Sequence, residues 1–468
     1  MTYTLTSGDP LSRLATDLDG RLVHAADPNW DTARQAWQLG VDQRPVAVVL
    51  AETVRDVQLV LRTAAASGLR VAPQSTGHNA RPLGALDDTI LLKTAGMAGV
   101  RIEPQARLAR VEGGTRWMDV MPAAAHHGLA ALHGTSRDTG VAGYTLGGGL
   151  SWLGRSHGLA ANSVVGLEVV TADGSVRRVS AEDEPDLFWA LRGGGGSFGV
   201  VTGLEFRLYP ITEVQAGVLF FPIERASEVL QAWRDWLPSV PDAVTSIGRL
   251  LRFPPLPALP PHLSGKSYVV LEATCQLSQD QADALFAPMR ALGPVIDTLR
   301  PTPVTELSAM HMDPDGPAPG QGDGMLLGDL PAEALDVFAS DAFAPELPLV
   351  SLELRHLGGA LTPGRMSGGA LSALDGSFLL FAAGIAPDAA AERPVDDALD
   401  TALKSMASWS TGRYYMNFAE RRKTGAELFG AQTYERLRQV KAAYDPADVI
   451  RANHPIAPAD QTRPQERR

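Results

Sequence analysis

Glycine is distributed unevenly in this chain: of its 46 glycines, many fall between Gly134 and Gly203. Glycine gives up more conformational freedom on folding than any other residue, so such a cluster needs a local cause. Two runs account for it. The first, residues 134–149, interleaves glycine with Thr135, Ser136, Thr139 and Thr145; the second, residues 185–202, carries four consecutive glycines, Gly193–Gly196. Small residues in series expose backbone N–H groups and let a ligand approach the chain closely, which suits a large flat or anionic group. A flexible linker does not fit, because Trp152, Leu153 and Leu159 just downstream are core-type residues. Gly194, Gly196 and Gly199 match G-x-G-x-x-G, yet a helix pattern precedes them and a strand pattern follows. A dinucleotide fingerprint requires the reverse order, so a nicotinamide-binding doubly wound domain is disfavoured.

A third small-residue segment, Pro73 to Ala80, follows a short strand pattern and contains Gly77 and His78. Successive N–H groups there would form an anion nest. Taken alone, this loop reads first as an ordinary turn, and His78 as a surface or hydrogen-bonded histidine.

The 468 residues are too many for one ordinary core and favour two domains. Hydrophobic content of 45% with 20% charged residues is that of a folded globular protein. A formal charge of −12 argues against a nucleic-acid-binding surface. The one cysteine, Cys275, excludes an internal disulfide or thiolate metal cluster and reads as a small apolar strand residue. His126, His127, His133 and His157 lack partners at metal-ligand spacing, so no metal site is expected, and no Gly-x-Ser-x-Gly elbow occurs. Residues 1–19 show no apolar signal-peptide core, and no apolar run reaches the roughly 20 residues needed to span a bilayer. A cytoplasmic protein without membrane contact is the expectation.

Along the chain, residues 44–51 read as a buried strand, Thr53 as the N-cap of a helix ended by Gly68, and 69–73 as a second strand. Strands follow at 89–93 and 108–112, then a helix over about 116–127. Residues 167–179 form a hairpin pattern about Asp173-Gly174, and 200–208 a strand closed by Pro210. From 211 to about 405 strands (216–221, 267–273, 349–354, 377–383) alternate with amphipathic helices such as 226–236, with a proline-rich loop at 253–261. A helix over about 434–444 and an irregular tail end the chain.

The ordered set Gly77-His78-Asn79, Gly140, Gly143 with Leu146–Gly149, Gly158–Ala160, Leu187–Thr202 and Tyr444–Pro446 resembles the FAD-linked oxidases of the vanillyl-alcohol-oxidase (PCMH-type FAD-binding) superfamily, in its berberine-bridge-enzyme-like branch. The resemblance spans about Pro45 to Ile456. It implies an α+β fold: a two-part FAD-binding domain (1–208 and 408–468) and an inserted substrate domain (209–407), an antiparallel sheet covered by helices. The change of texture near Pro210 agrees independently.

The resemblance implies FAD held covalently through His78. A second bond through cysteine is excluded, because Ser136 stands at that position. It implies a pyrophosphate cradle of Pro73, Gln74, Ser75, Thr76, Gly77, His78, Asn79 and Ala80, with Gln74 where relatives often carry arginine. Further cofactor contacts are implied for Gly134, Thr135, Ser136, Asp138, Thr139, Gly140, Val141, Gly143, Tyr144, Gly147, Gly148, Gly149, Gly154, Gly158, Ala160 and Asn162, the last where relatives often have aspartate. Gly199, Val200 and Val201 would meet the adenine, and Val141 would lie beside the reactive flavin carbon with a size compatible with oxygen access. In Tyr414–Phe418 the resemblance implies that Tyr415 and Asn417 face flavin and substrate. Tyr415 would act as base if a cation such as Arg413 or Arg355 lowers its pKa; adjacent tyrosines in a strand otherwise read as core. Strand alternation sets Glu353 and Arg355 on one face, as substrate contacts or as a mere ion pair, with Leu352, Leu354 and His356 on the helix-packed face.

The activity implied is an FAD-dependent oxidase acting on an alcohol, hemiacetal or amine carbon of a small organic substrate, with dioxygen reduced to hydrogen peroxide, in a monomer or homodimer. A dehydrogenase using another acceptor and a catalytically silent flavin-binding protein remain as rival readings.

Overall fold

The computed structural model describes residues 10–257 and 259–460. Residues 1–9 of the segment read for a signal peptide, the last eight residues of the tail and position 258 of the proline-rich loop lie outside the described residues.

Three sheets are built in chain order. The first contains β1 (Arg21–Val23), β2 (Ala47–Leu50), β3 (Arg70–Gln74) and β4 (Thr89–Lys93) in the order β1-β2-β4-β3. β2 and β3 run parallel to β4, as a strand–helix–strand unit requires. The crossover helix Val54–Ser67 starts at Thr53, whose hydroxyl accepts from the Asp56 N–H, and ends at Gly68 in the left-handed region at φ 67°. Asp56 itself is buried and accepts the backbone N–H groups of Asp19, Gly20, Glu52 and Thr53, tying the turn before β1 to the helix start.

The second sheet is antiparallel: β5 (Val100–Glu103), β6 (Leu108–Glu112), β7 (Val164–Val170), β8 (Val176–Val179) and β9 (Val200–Arg207), ordered β5-β6-β9-β7-β8. The hairpin read about Asp173-Gly174 is β7–β8. The glycine-rich stretches connect the elements of this sheet, one between the helix Trp117–Ala125 and β7, the other between the helix Pro185–Leu191 and β9.

The third sheet has eight strands, all within residues 213–385: β10 (Glu213–Pro222), β11 (Val244–Arg252), β12 (Ser267–Cys275), β13 (Ile296–Asp297), β14 (Arg300–Pro303), β15 (Gly320–Leu327), β16 (Leu349–His356) and β17 (Phe378–Ile385). Helices Ala226–Trp236, Gln279–Ala291, Ala332–Ala339 and Ala389–Ser405 cover one face. There Val229, Leu230, Trp233, Phe286, Phe338 and Leu399 pack on Phe221, Leu250, Leu271, Leu352, Leu354 and Leu380. Cys275 is fully buried at the end of β12 within this core. The chain end returns to the first two sheets. Val71 pairs with Ile450 as a parallel bridge, and the buried Lys441 ammonium donates to the carbonyls of Ser197 and Ile450 and to Asp445. The architecture is α+β, and no helix among the described residues is long and apolar enough to cross a membrane.

Candidate active site

The face of the third sheet turned away from its helices roofs a cavity of about 430 Å³. The opposite wall is made by the three small-residue segments. Pro73 to Ala80 extends from the end of β3; Gly134, Thr135, Ser136, Thr139, Gly140, Gly143, Tyr144 and Gly147 come from the first glycine run; Gly195, Gly196, Gly199, Val200 and Val201 come from the second. Asn417 and Arg451 complete it from the chain's end. A Cβ built on Gly143 or Gly196 meets no atom within 4 Å, so both glycines open onto empty space that a side chain would fill. That is the property required of a wall against which a flat cofactor lies, and the residues present fit FAD.

His78 is fixed on three sides. Its ring stacks on Trp37 with centroids 3.9 Å apart and planes 18° apart, and its Nε2 lies 3.0 Å from Asp138 Oδ1. The Trp37 indole N–H donates to Asp138 Oδ2 at 2.6 Å, and the Ser136 hydroxyl donates to Asp138 Oδ1 at 3.0 Å. Burial works against the Asp138 charge, but the His78, Trp37 and Ser136 contacts outweigh it and hold the carboxyl well below the usual range. Asn79 is anchored by donating to the carbonyls of Met416 and Ala419. Gln74 lacks the positive charge of an arginine, yet Lys93 Nζ donates to its Oε1, so a cation stands one side chain behind the wall. Burial pulls that lysine down to about 8.

Several residues assigned from the sequence stand elsewhere than on the cavity wall. Gly148, Gly149, Gly154, Gly158, Ala160 and Asn162 are not on the cavity wall; they pack behind it. Asn162 is spent locally, its Oδ1 accepting the Leu159 N–H at the start of a short helix. Val141 is wholly buried in the second sheet's core, and its neighbour Ala142 reaches the wall instead. Asp138 stands behind the wall and touches it through His78, Trp37 and Ser136. Tyr415 is 1% exposed and sits among Leu150, Leu159, Leu326 and Leu379. Burial pushes its phenol well above 10 despite the backbone N–H of Gly149 and the Arg355 charge, the opposite of what a tyrosinate base needs. Arg413 is turned away, donating to the Ala426 carbonyl. Asn417 does face the cavity, held by donating to the Tyr144 carbonyl at 2.9 Å and to the Tyr415 oxygen at 3.3 Å.

Glu353 and Arg355 both line the roof, and they also pair: Arg355 Nε donates to Glu353 Oε1 at 2.9 Å. They belong to a larger buried network that pattern reading missed. Arg249 on β11 lies directly opposite Glu353 on β16 and donates to Ser351, to Glu272 and to the His311 carbonyl. His311 places Nδ1 2.6 Å from Glu272 and Nε2 3.1 Å from Glu353 Oε2. Burial and Arg249 disfavour protonation of His311, but Glu272, Glu353 and Asp313 overcome them and raise its pKa above the ordinary histidine value. Burial opposes the Glu353 charge too, and Arg355, His311 and Arg249 reverse that, holding it far below the carboxylate range. Glu353 Oε2 is buried and accepts no hydrogen bond. Arg249 and Glu272 each stand alone as a charge inside an apolar strand, the one signal that would have revealed them; His311 lies in a loop with no periodicity to read. Glu420 also reaches the wall, its carboxyl pushed up to about 7 by burial although Gly322 N–H donates to it.

Comparison with known proteins gives the same reading from outside the chain. Residues 45–180 match the family described as FAD binding domain, and residues 414–457 the family described as berberine and berberine like. (R)-6-hydroxynicotine oxidase of Paenarthrobacter nicotinovorans is 27% identical over 96% of this chain and 99% of its own. The crystal structure of 6-hydroxy-D-nicotine oxidase from Arthrobacter nicotinovorans superposes with a TM-score of 0.81 at 25% identity, covering 95% of this chain and 99% of that one. Glucooligosaccharide oxidase from Acremonium strictum, whose FAD is 6-S-cysteinyl and 8α-N1-histidyl, shares the fold with a TM-score of 0.81 at 21% identity, covering 96% of this chain and 100% of that one.

Proposed function

The chain belongs to the FAD-linked oxidoreductases of the berberine-bridge-enzyme-like branch, and from that premise we propose that it is an oxidase of a small alcohol, hemiacetal or amine, with FAD attached covalently through His78 alone. The observation that carries this reading is a single cavity bounded on one side by His78 and glycine-lined backbone and on the other by a roof of buried charges. FAD held there would supply the acceptor for a hydride from the substrate carbon, with dioxygen as the onward acceptor of its two electrons. In this reading residues 1–208 and 408–468 hold the cofactor, and 209–407 set the substrate pocket.

Glu353 Oε2, buried and without a donor, accepts the O–H or N–H beside the reacting carbon and so orients it. His311 and Glu272 stand behind Glu353, each no more than 3.1 Å from the next, and fix its carboxylate in place. Arg249 and Arg355 keep the two carboxylates ionised and buried. Asn417 fixes the opposite side of the cavity, and Tyr415 acts behind it by receiving the Asn417 amide. With Ser136 in place of a thiol, His78 is the single point of attachment.

The test is direct. Acid-denatured, digested protein should give a yellow peptide spanning Val71 to Arg81 with the mass of FAD added; flavin released into the acid supernatant refutes the covalent bond. Substrate-reduced protein should recolour in air and stay bleached under argon. Equal reoxidation rates with an added acceptor and no response to air would make it a dehydrogenase.

A further inference from the structure

Asp138 is the residue of the site whose arrangement the proposed activity does not yet use. Its carboxylate meets three partners at once: the His78 ring at Nε2, the Trp37 indole N–H and the Ser136 hydroxyl. These contacts come from three separate stretches of chain, the segment before β2, the loop after β3 and the first glycine run. Trp37 contributes twice, stacking on the imidazole and bonding the carboxylate that holds it. The two ring nitrogens of His78 are therefore unequal. Nε2 is buried and its close polar neighbour is Asp138 Oδ1 at 3.0 Å, an approach too bent for a well-formed hydrogen bond, whereas Nδ1 enters no hydrogen bond among the described residues and belongs to a side chain that lines the cavity.

A carboxylate at one imidazole nitrogen decides where the proton sits. The hydrogen stays on Nε2, toward Asp138, and the lone pair is left on Nδ1. The same carboxylate stabilises the positive charge that grows on the ring as Nδ1 forms a bond, and the Trp37 face keeps the ring from rotating away. We propose that Asp138, braced by Trp37 and Ser136, is the positioning residue that prepares His78 for flavin attachment through Nδ1. The inference rests on the reading that His78 carries FAD covalently. The bond forms from the Nδ1 lone pair, one C–H of the flavin 8α-methyl group breaks, and the imidazole gives up its Nε2 proton. The two protons and two electrons released pass to the isoalloxazine ring and from it to dioxygen, giving hydrogen peroxide.

The experiment uses full-length protein produced without flavin and then mixed with FAD in air. Covalent incorporation is followed by intact mass, and non-covalent binding by quenching of flavin fluorescence. Wild type should gain the mass of FAD. Asp138→Ala and Asp138→Asn should bind FAD with affinity within about threefold of wild type but attach it at least about tenfold more slowly, the scale typical of losing a partner that orients a ligating histidine. Trp37→Phe, which keeps a stacking face and loses the N–H, should fall between, and Asp138→Glu should recover part of the rate. His78→Ala should bind without attaching. A merely structural role for Asp138 would lower binding and thermal stability together and leave the rate of attachment of the bound fraction unchanged. Attachment of bound FAD by Asp138→Asn at the wild-type rate overturns the proposal and leaves the covalent reading intact. Binding without attachment in wild type overturns both. Should the Asp138 variants fail to fold, Trp37→Phe decides: wild-type attachment rates there refute the bracing role.

Discussion

Glu353 lies between Leu352 and Leu354, and the alternation of a strand sends the glutamate to the cavity and the leucines to the helix-covered core. That division was legible in the sequence because period-2 alternation with a charge inside an apolar run has few other meanings. The burial of Tyr415 was not legible. Tyr415 matched a motif, but a motif fixes a backbone position and not burial, and the phenol is turned among leucines where desolvation keeps it protonated. Glu353 and Tyr415 thus make opposite predictions when altered conservatively. Glu353→Gln removes the charge that orients the substrate and should slow flavin reduction about 100-fold or more, the usual scale of general acid–base and orienting groups. Tyr415→Phe keeps the shape and leaves Asn417 its bond to the Tyr144 carbonyl, so flavin reduction should change less than about fivefold. Anaerobic stopped-flow reduction measures both; a large loss for Tyr415→Phe with little for Glu353→Gln would return the base to the tyrosine.

At the level of elements, the strand–helix–strand unit around residues 44–74 was readable almost to its ends, because caps carry local signals. The Thr53 cap and the Gly68 stop both stand where the sequence placed them. Asp56 was not readable as more than the third helical residue, since its four backbone donors include Asp19 and Gly20, far away in sequence. Burial disfavours its charge, yet those backbone N–H groups overcome the penalty and lower its pKa below the ordinary carboxylate value. A lowered carboxylate contributes stability that is present above the unfolded pKa and lost as pH falls through the folded one. Asp56→Ala, which strands several N–H groups, should cost about 2–4 kcal/mol near neutral pH, and the difference from wild type should shrink as pH drops below about 4. Urea midpoints of the two proteins from pH 7 to pH 3 check this. A pH-independent difference would mean that packing at the helix start, not the carboxylate, carries the cost.

Across the whole molecule, residues 416–453 close a cavity wall that begins with Pro73, and no pattern along the chain states that contact. The helix Ala431–Tyr444 was expected, but a lysine on such a helix ordinarily reads as solvated. Lys441 is instead fully buried. It bonds Asp445, the Ser197 carbonyl beside the second glycine run and the Ile450 carbonyl beside β3, while Asp445 also accepts the N–H groups of Val449 and Ile450. One ammonium therefore joins the chain's end to both sheets that hold the cavity's glycine-lined side, and Arg451 reaches the wall from the same turn. Breaking a buried pair by removing one partner leaves an uncompensated charge and costs roughly 3–5 kcal/mol. Lys441→Met should therefore lower stability by about that much, and it should weaken FAD binding as well, because Ser197 and Arg451 both lose their tether. Lys441→Met/Asp445→Asn should recover part of the stability by removing the stranded charge, but not the binding, since the bridge to Ser197 stays absent. Urea denaturation read by tryptophan fluorescence, together with FAD titration of the flavin-free protein, separates the two effects. A single variant that unfolds like wild type and binds FAD as tightly would show that the glycine wall holds its shape without the chain's end.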